Sequence, residues 1–348
     1  MIPFGELKID ALLVSALPNI RYMTGFTGSN ALLLLTPHSA TLFTDPRYTI
    51  QASQECSCQI KVPAKGPLEL AAVEAIRRSK LKRIGFESSR MIYEAYLRLK
   101  QSLPLGASLK PIDPVIEKLR MIKSKDEIAR IRRSVHTNSE AFEATIRSVR
   151  PGVSEAAIAA ELDFKMRRLG AEKTAFETIV ASGSRSALPH AQPTQQKVGN
   201  NELLLIDMGS CQDGYMSDMT RTLYVGRPDR RTKRLYKAVL KSQLAAIDAV
   251  RDGVLAGQVD RTARKVLDSE GLGKDFVHST GHGLGLEIHE APRIGKRDRT
   301  RLEAGMVITI EPGAYIRGFG GVRIEDTVLV TKYGCEVLTP TSKELILL

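Results

Sequence analysis

The stretch Leu203-Leu-Leu-Ile-Asp207-Met-Gly-Ser-Cys-Gln-Asp213-Gly-Tyr-Met-Ser-Asp218-Met-Thr-Arg-Thr222 constrains the fold more than any other part of this chain. An apolar run enters turn-forming residues and a second β-like run returns, which predicts an antiparallel hairpin. A turn centred near Gln212 to Asp213 sets Asp207 opposite Asp218, with Cβ atoms roughly 4.5–5.5 Å apart. Two like charges so placed destabilise a ladder unless a cation lies between them. The device recurs: Glu311 ends the run Met306 to Glu311, Glu325 lies in Gly320 to Asp326, and a turn centred near Gly318 opposes the two. Four carboxylates on two hairpins carry the charge that two divalent ions neutralise, and two-metal sites hold their ions roughly 3.5–4 Å apart. Any one acid alone reads as a solvated hairpin residue. Arg323 shares a face with Glu325 by the two-residue period of a strand, which makes it a candidate substrate-facing cation.

Three of the six histidines fall in His278-Ser-Thr-Gly-His282-Gly-Leu-Gly-Leu-Glu-Ile-His289. Glycines at 281, 283 and 285 argue against a helix, so the His-x3-His spacing is not that of a helical zinc site. Such a loop predicts a close approach of backbone to a metal or substrate. His190 follows Pro189, where a helix is disfavoured.

The rest of the chain frames these elements. Short β-like runs at Leu12 to Ser15, Ala31 to Leu35, Thr41 to Thr44 and Arg83 to Phe86, with helical spacing at Leu68 to Arg78 and Tyr93 to Gln101, predict a small α/β domain. Prolines at 104, 111 and 114 read as a linker. Ser124-Lys-Asp-Glu127 is a capping box that should start a long helix. A second helix stops at Gly170, a strand-rich stretch follows, and then come helical pattern at Thr232 to Val250 and Val259 to Ser269 and more β-like sequence. Two helices then a hairpin, twice over, predicts an α+β domain with two similar halves, helices packed on one face of a mostly antiparallel sheet.

With 43% apolar and 26% charged residues the chain is an ordinary globular sequence, which excludes disordered and fibrous classes. No apolar run approaches the roughly 20 residues of a membrane span, and no signal peptide or anchor is readable. Four cysteines without a CxxC pair argue against a disulfide framework or zinc ribbon and for a reducing cytoplasm. The net charge of +12 peaks at +5 in residues 118–150, around an apolar stripe of Ile128, Ile131, Val135, Phe142, Ile146 and Val149. That is the pattern of a solvated helix face, and no nucleic-acid-binding signature accompanies it.

The stretches DMGSCQDGYMSDMTRT, HSTGHGLGLEIHE, EPGAY and VRIEDT, in this order, closely resemble the pita-bread metallopeptidases, specifically the proline-directed branch of aminopeptidase P and prolidase. The resemblance covers essentially the whole chain, since Asn19-Ile-Arg-Tyr-Met-Thr-Gly-Phe-Thr-Gly28 is similar to the start of their first domain. It implies an α/β creatinase-like N-terminal domain over residues 1–117 and an α+β pita-bread catalytic domain with two pseudo-symmetric halves over 118–348. It places the metal ligands on Asp207, Asp218, His282, Glu311 and Glu325, four of which the hairpin argument reaches from the residues alone. Methionine aminopeptidases share this ligand set but usually lack so large a first domain, and creatinases do not keep it.

The chemistry the resemblance implies is metal-assisted hydrolysis of an Xaa-Pro bond, with two divalent ions that activate water and polarise the scissile carbonyl. Mn(II) or Co(II) suits the oxygen-rich set, with Zn(II) as a third candidate. Glu311 would take the water proton as well as bind metal, His289 would donate to the oxyanion, and His190 would sit near the leaving proline nitrogen. Arg323 and His278 would bind the proline side of the peptide. At 348 residues the chain is short for either group and shows no long insertion to wall off the exit, which favours an Xaa-Pro aminopeptidase over the alternative, prolidase. A non-catalytic scaffold on this fold is the remoter alternative. The partners implied are proline-containing peptides and a second copy of the chain in a homodimer, with no nucleic acid and no membrane.

Overall fold

In the computed structural model, which describes residues 2–348, the chain divides into two compact units, Met1–Arg120 and Met121–Leu348. The first is a six-stranded mixed sheet in the spatial order Gln59–Lys61, Ala40–Thr44, Ala31–Leu35, Ala11–Val14, Arg83–Glu87, Ser108–Ile112. Both faces are covered, which explains the unbroken apolar runs. Leu12 and Val14 join one buried cluster with Leu33 and Leu35, while Ala11 and Leu13 join another with Leu32, Leu34 and the helical residues Val73 and Ile76. The segment expected as a linker is in part a strand, Ser108–Ile112. It lies at the sheet edge, where Pro111 and its missing N–H are tolerated. Helices beyond those expected from the sequence include Leu17–Thr24 and Thr49–Glu55.

The second unit repeats one plan. Ser124 caps the Lys125–Ile146 helix by accepting from the backbone N–H of Glu127, whose carboxylate accepts from the backbone N–H of Ser124 in return. This helix and Glu155–Arg168 pack Phe142, Ile158, Leu162 and Met166 against Leu204, Ile206, Met208 and Leu223 of a three-stranded antiparallel sheet. In the other half, the Arg230–Asp248 and Ala256–Ser269 helices pack Leu235, Val239, Val259, Ala263 and Leu267 against Ile308, Ile310 and Val328 of a five-stranded sheet. Helices thus cover one face of each sheet. Alternation sends Asp207, between Ile206 and Met208, to the opposite face.

The first hairpin differs in register from the expectation. Its tip is Asp213–Gly214, both in the left-handed region with φ of 51° and 77°, as a two-residue turn with two positive φ values requires. The centre therefore lies one residue later than expected, and each pairing moves by two. Asp207 stands opposite Thr220, and Asp218 is its diagonal neighbour just before the Met219–Val225 strand. An even shift keeps every side chain on its face, so both acids still reach the same side. The first strand breaks at Gly209, between Glu202–Met208 and Ser210–Gln212, where any Cβ would lie 2.2 Å from the carbonyl oxygen of Ser217. In the second hairpin, Gly313 opposes Arg323 and Ile310 opposes Asp326, so the expected register of Glu311 with Glu325 is continuous on both sides.

Candidate metal centre and its cavity

The open faces of the two hairpins meet in a cavity of about 670 Å³ lined by Asp207, Asp218, His278, His282, His289, His190, Glu311, Arg323 and Glu325. All nine residues singled out in the sequence thus border one space. A carboxylate oxygen each from Asp218 and Glu325 and a ring nitrogen of His282 lie within 4.8 Å of one another. His282 Nε2 is 3.5 Å from both Asp218 Oδ2 and Glu311 Oε1. Its Nδ1 faces the carbonyl of Gly283 at 3.0 Å, which fixes the proton on Nδ1 and leaves the Nε2 lone pair toward the acids. The His282 and His289 rings meet edge to face with centroids 4.4 Å apart.

Glycine at 281 has a use other than the one expected from the loop. A Cβ there would lie 2.0 Å from the carbonyl oxygen of Thr309, so the close approach is to the neighbouring strand and not to a ligand. The same packing lets the Thr309 hydroxyl accept from the backbone N–H of His282 at 3.1 Å.

The electrostatics are those of anions brought together without their cation. Burial, then Glu325, Asp207 and Glu311, pushes the Asp218 carboxyl well above its ordinary range. Burial, then Glu311 and Asp207, does the same to Glu325. Glu311 is pushed up to about 7, chiefly by burial. Asp207 Oδ1 and Glu325 Oε1 are buried with no hydrogen-bond partner, an arrangement that costs free energy unless a ligand meets them. Four carboxylates, a neutral imidazole presenting Nε2 and two orphaned oxygens fit hard or borderline divalent cations.

Arg323 sits under these acids, only 3% exposed. Its Nη2 donates to Asp207 Oδ2 at 2.6 Å, its Nη1 to the Tyr315 hydroxyl at 2.7 Å and the Pro189 carbonyl at 3.2 Å, and its Nε to Thr220 Oγ1 at 3.0 Å. Thr220 in turn donates to Glu325 Oε2 at 2.6 Å. His278 Nε2 takes the Tyr315 hydroxyl at 2.8 Å, and burial with Arg323 nearby lowers its pKa to about 4. Arg323 and His278 are thus hydrogen-bonded parts of the cavity wall, whereas His190 and His289 are more exposed.

Sequence reasoning missed Thr220, Tyr315 and Arg293. Thr220 becomes readable once the hairpin register is known, because it opposes Asp207. Arg293 lies on the Glu290–Ile294 strand directly across from His282, so its side chain shares the face of that imidazole. It lines the cavity, is exposed, and has no hydrogen-bond or ion-pair partner among the described residues. Nothing in the local sequence marks it. A second cavity, about 640 Å³, lies in the first unit, but the charge of its Arg98 is met by Glu69 and Glu94.

Residues 129–332 match metallopeptidase family M24, and residues 4–122 match the creatinase/prolidase N-terminal domain. The chain is 40% identical over 340 residues to an Xaa-Pro dipeptidase of Pyrococcus horikoshii, covering 97% of this chain and 95% of that one. Among solved structures it is similar to an Xaa-Pro dipeptidase from Bacillus anthracis, at a TM-score of 0.96 and 39% identity over 99% of this chain and 97% of the other. It is also similar to an X-Pro aminopeptidase from Thermotoga maritima, at a TM-score of 0.93 and 34% identity over 99% of each chain.

Proposed function

Because this chain belongs to metallopeptidase family M24, with the pita-bread catalytic domain behind a creatinase-type first domain, we propose that it is an Xaa-Pro dipeptidase that works with two divalent ions. Asp207, Asp218, His282, Glu311 and Glu325 are the side chains that would hold Mn(II), Co(II) or Zn(II). When bound, such ions supply Lewis-acid polarisation of the scissile carbonyl and activation of water. Glu311, which lines the cavity with its Oε1 3.5 Å from His282 Nε2, takes the proton of the attacking water and passes it to the leaving proline nitrogen. His289, exposed in the cavity and edge-on to His282, donates to the developing oxyanion. His190 lies beside the leaving group. Arg323 and His278, which the resemblance sets at the proline side, line the cavity and also hold Asp207 and Tyr315 by hydrogen bonds.

The observation that carries the dipeptide reading is Arg293. A free proline carboxylate needs a cation that is not already engaged, and an unpaired guanidinium on the face of His282 meets that need with two parallel N–H donors. Most named relatives quoted above are dipeptidases, which supports this reading over the open-ended peptide expected from chain length. The four free thiols and the family resemblance extend it to a cytoplasmic homodimer. Hydrolysis of an Xaa-Pro dipeptide should vanish when divalent ions are stripped and return with Mn(II) or Co(II). Full activity in a preparation shown to be free of metal contradicts the proposal.

A further inference from the structure

The Ala256–Ser269 helix carries an ion pair, with a fully buried carboxylate and a partly buried guanidinium, that the hydrolytic chemistry does not use. Arg264 Nε donates to Asp260 Oδ2 at 2.7 Å, one turn apart, and Asp260 is fully buried. A carboxylate sealed in this way is retained only when its lone pairs are filled. Here they are filled by the segment that leads to His282. Asp260 Oδ1 accepts from Thr280 Oγ1 at 2.9 Å and from the backbone N–H of Thr280 at 3.1 Å. Arg264 reaches the same segment with its other nitrogens, donating to the carbonyl of Phe276 at 3.0 Å and to that of His278. Its guanidinium lies 4.2 Å from the centroid of the Phe276 ring.

The grip falls on residues 276, 278 and 280 of the connecting segment that runs directly into the Gly281–Gly283 strand carrying His282. It also reaches the second hairpin, because the carbonyl of Thr280 accepts from the backbone N–H of Glu311 at 2.7 Å. One helix therefore fixes the backbone beside an imidazole and a carboxylate that come from different strands. We propose that Asp260 and Arg264 are positioning residues for the metal centre, setting the affinity with which His282 and Glu311 take a divalent ion.

The inference rests on the metal-dependent reading above, and its test separates the two. Mn(II) is titrated by calorimetry into the metal-free full-length chain and into its Asp260→Asn variant, with folding checked by far-UV circular dichroism at the same temperature. Partners hydrogen-bonded directly to metal ligands typically contribute about 10–100-fold in affinity, and Asp260→Asn, which acts one step further out through Thr280, is expected to lose about tenfold while remaining folded. Ser242→Ala removes another buried hydrogen bond to the same helix, from Ser242 Oγ to the Ala263 carbonyl, and serves as the control for simple destabilisation. It should leave Mn(II) affinity unchanged. If Asp260→Asn does not fold, Arg264→Lys, which keeps the charge but loses the fork, is read by the same criterion. Wild-type affinity in the folded variant, or equal losses in the variant and the Ser242→Ala control, overturns the positioning role. Failure of the wild-type chain to bind Mn(II) overturns the metal-dependent reading instead.

Discussion

Arg323 Nη2 and Asp207 Oδ2 are joined by a 2.6 Å charge-assisted hydrogen bond, nearly sealed from water. The pair leaves Asp207 Oδ1 without a partner, so one oxygen is neutralised by protein and the other is left for a ligand. In this arrangement the cation of Arg323 offsets part of the repulsion among Asp207, Asp218, Glu311 and Glu325 when no metal is present.

Arg323→Met should therefore destabilise the metal-free chain by roughly 3–5 kcal/mol, the usual effect of removing one partner of a buried pair. Excess Mn(II) should recover much of the loss, because the ion replaces the missing positive charge. Urea unfolding with chelator and with Mn(II) measures both. Equal losses in the two conditions would show that Arg323 contributes packing and not charge.

Asp218 and His289 should separate ligand from donor. Asp218→Ala should lose bound metal, since its carboxylate oxygen lies in the tight cluster with His282 and Glu325. His289→Ala should retain metal and lose about 10²–10³ in kcat, the usual effect of removing one oxyanion donor. Elemental analysis alongside kinetics reads both quantities. Parallel metal loss in the two variants would make His289 a ligand.

Metal affinity should rise with pH. Glu311 is pushed up to about 7 in the metal-free chain, and Asp218 and Glu325 are raised in the same direction, so at about pH 6 some of these groups hold protons that a cation must displace. Raised carboxylate pKa values mean that affinity climbs as pH rises through the window around 7 set by Glu311, with Asp218 and Glu325 acting in the same direction. His282, lowered to about 4 by burial and by His289, is already neutral over that window and releases nothing. Calorimetric titrations in two buffers of different ionisation enthalpy count the released protons. A pH-independent affinity would contradict this assignment.

Much of this site was legible from local sequence. The facing of Glu311 and Glu325 follows from a turn centred on Gly318, and the structure keeps that register through both flanking ladders. The facing of Asp207 and Asp218 differs by two residues, because the turn closes on Asp213–Gly214, the dipeptide that tolerates two positive φ values, and not on Gln212–Asp213. The alternation rule survived the slip, so the acids converge all the same. What stayed hidden depends on long-range packing: Arg323 on Asp207, 116 residues apart, and Asp260 on Thr280, 20 apart across a helix and a connecting loop. Neither partner carries a local signal for the other.

Arg293 should set the preference for chain length. Arg293→Gln is expected to lower kcat/KM for an Xaa-Pro dipeptide by about 10–100-fold, in line with the roughly 1.5–3 kcal/mol of a hydrogen bond to a charged group. The same change should have little effect on a peptide continued beyond proline, which offers no carboxylate at that place. Equal effects on both substrates would remove Arg293 from carboxylate recognition.

The most direct measurement compares kcat/KM of the Mn(II)-loaded enzyme for one Xaa-Pro dipeptide and for the same dipeptide extended by two residues. The Xaa-Pro dipeptidase reading predicts a preference for the dipeptide of more than about tenfold, or about 1.4 kcal/mol in transition-state binding. Equal rates, or a preference for the extended peptide, would contradict it and make the protein an Xaa-Pro aminopeptidase.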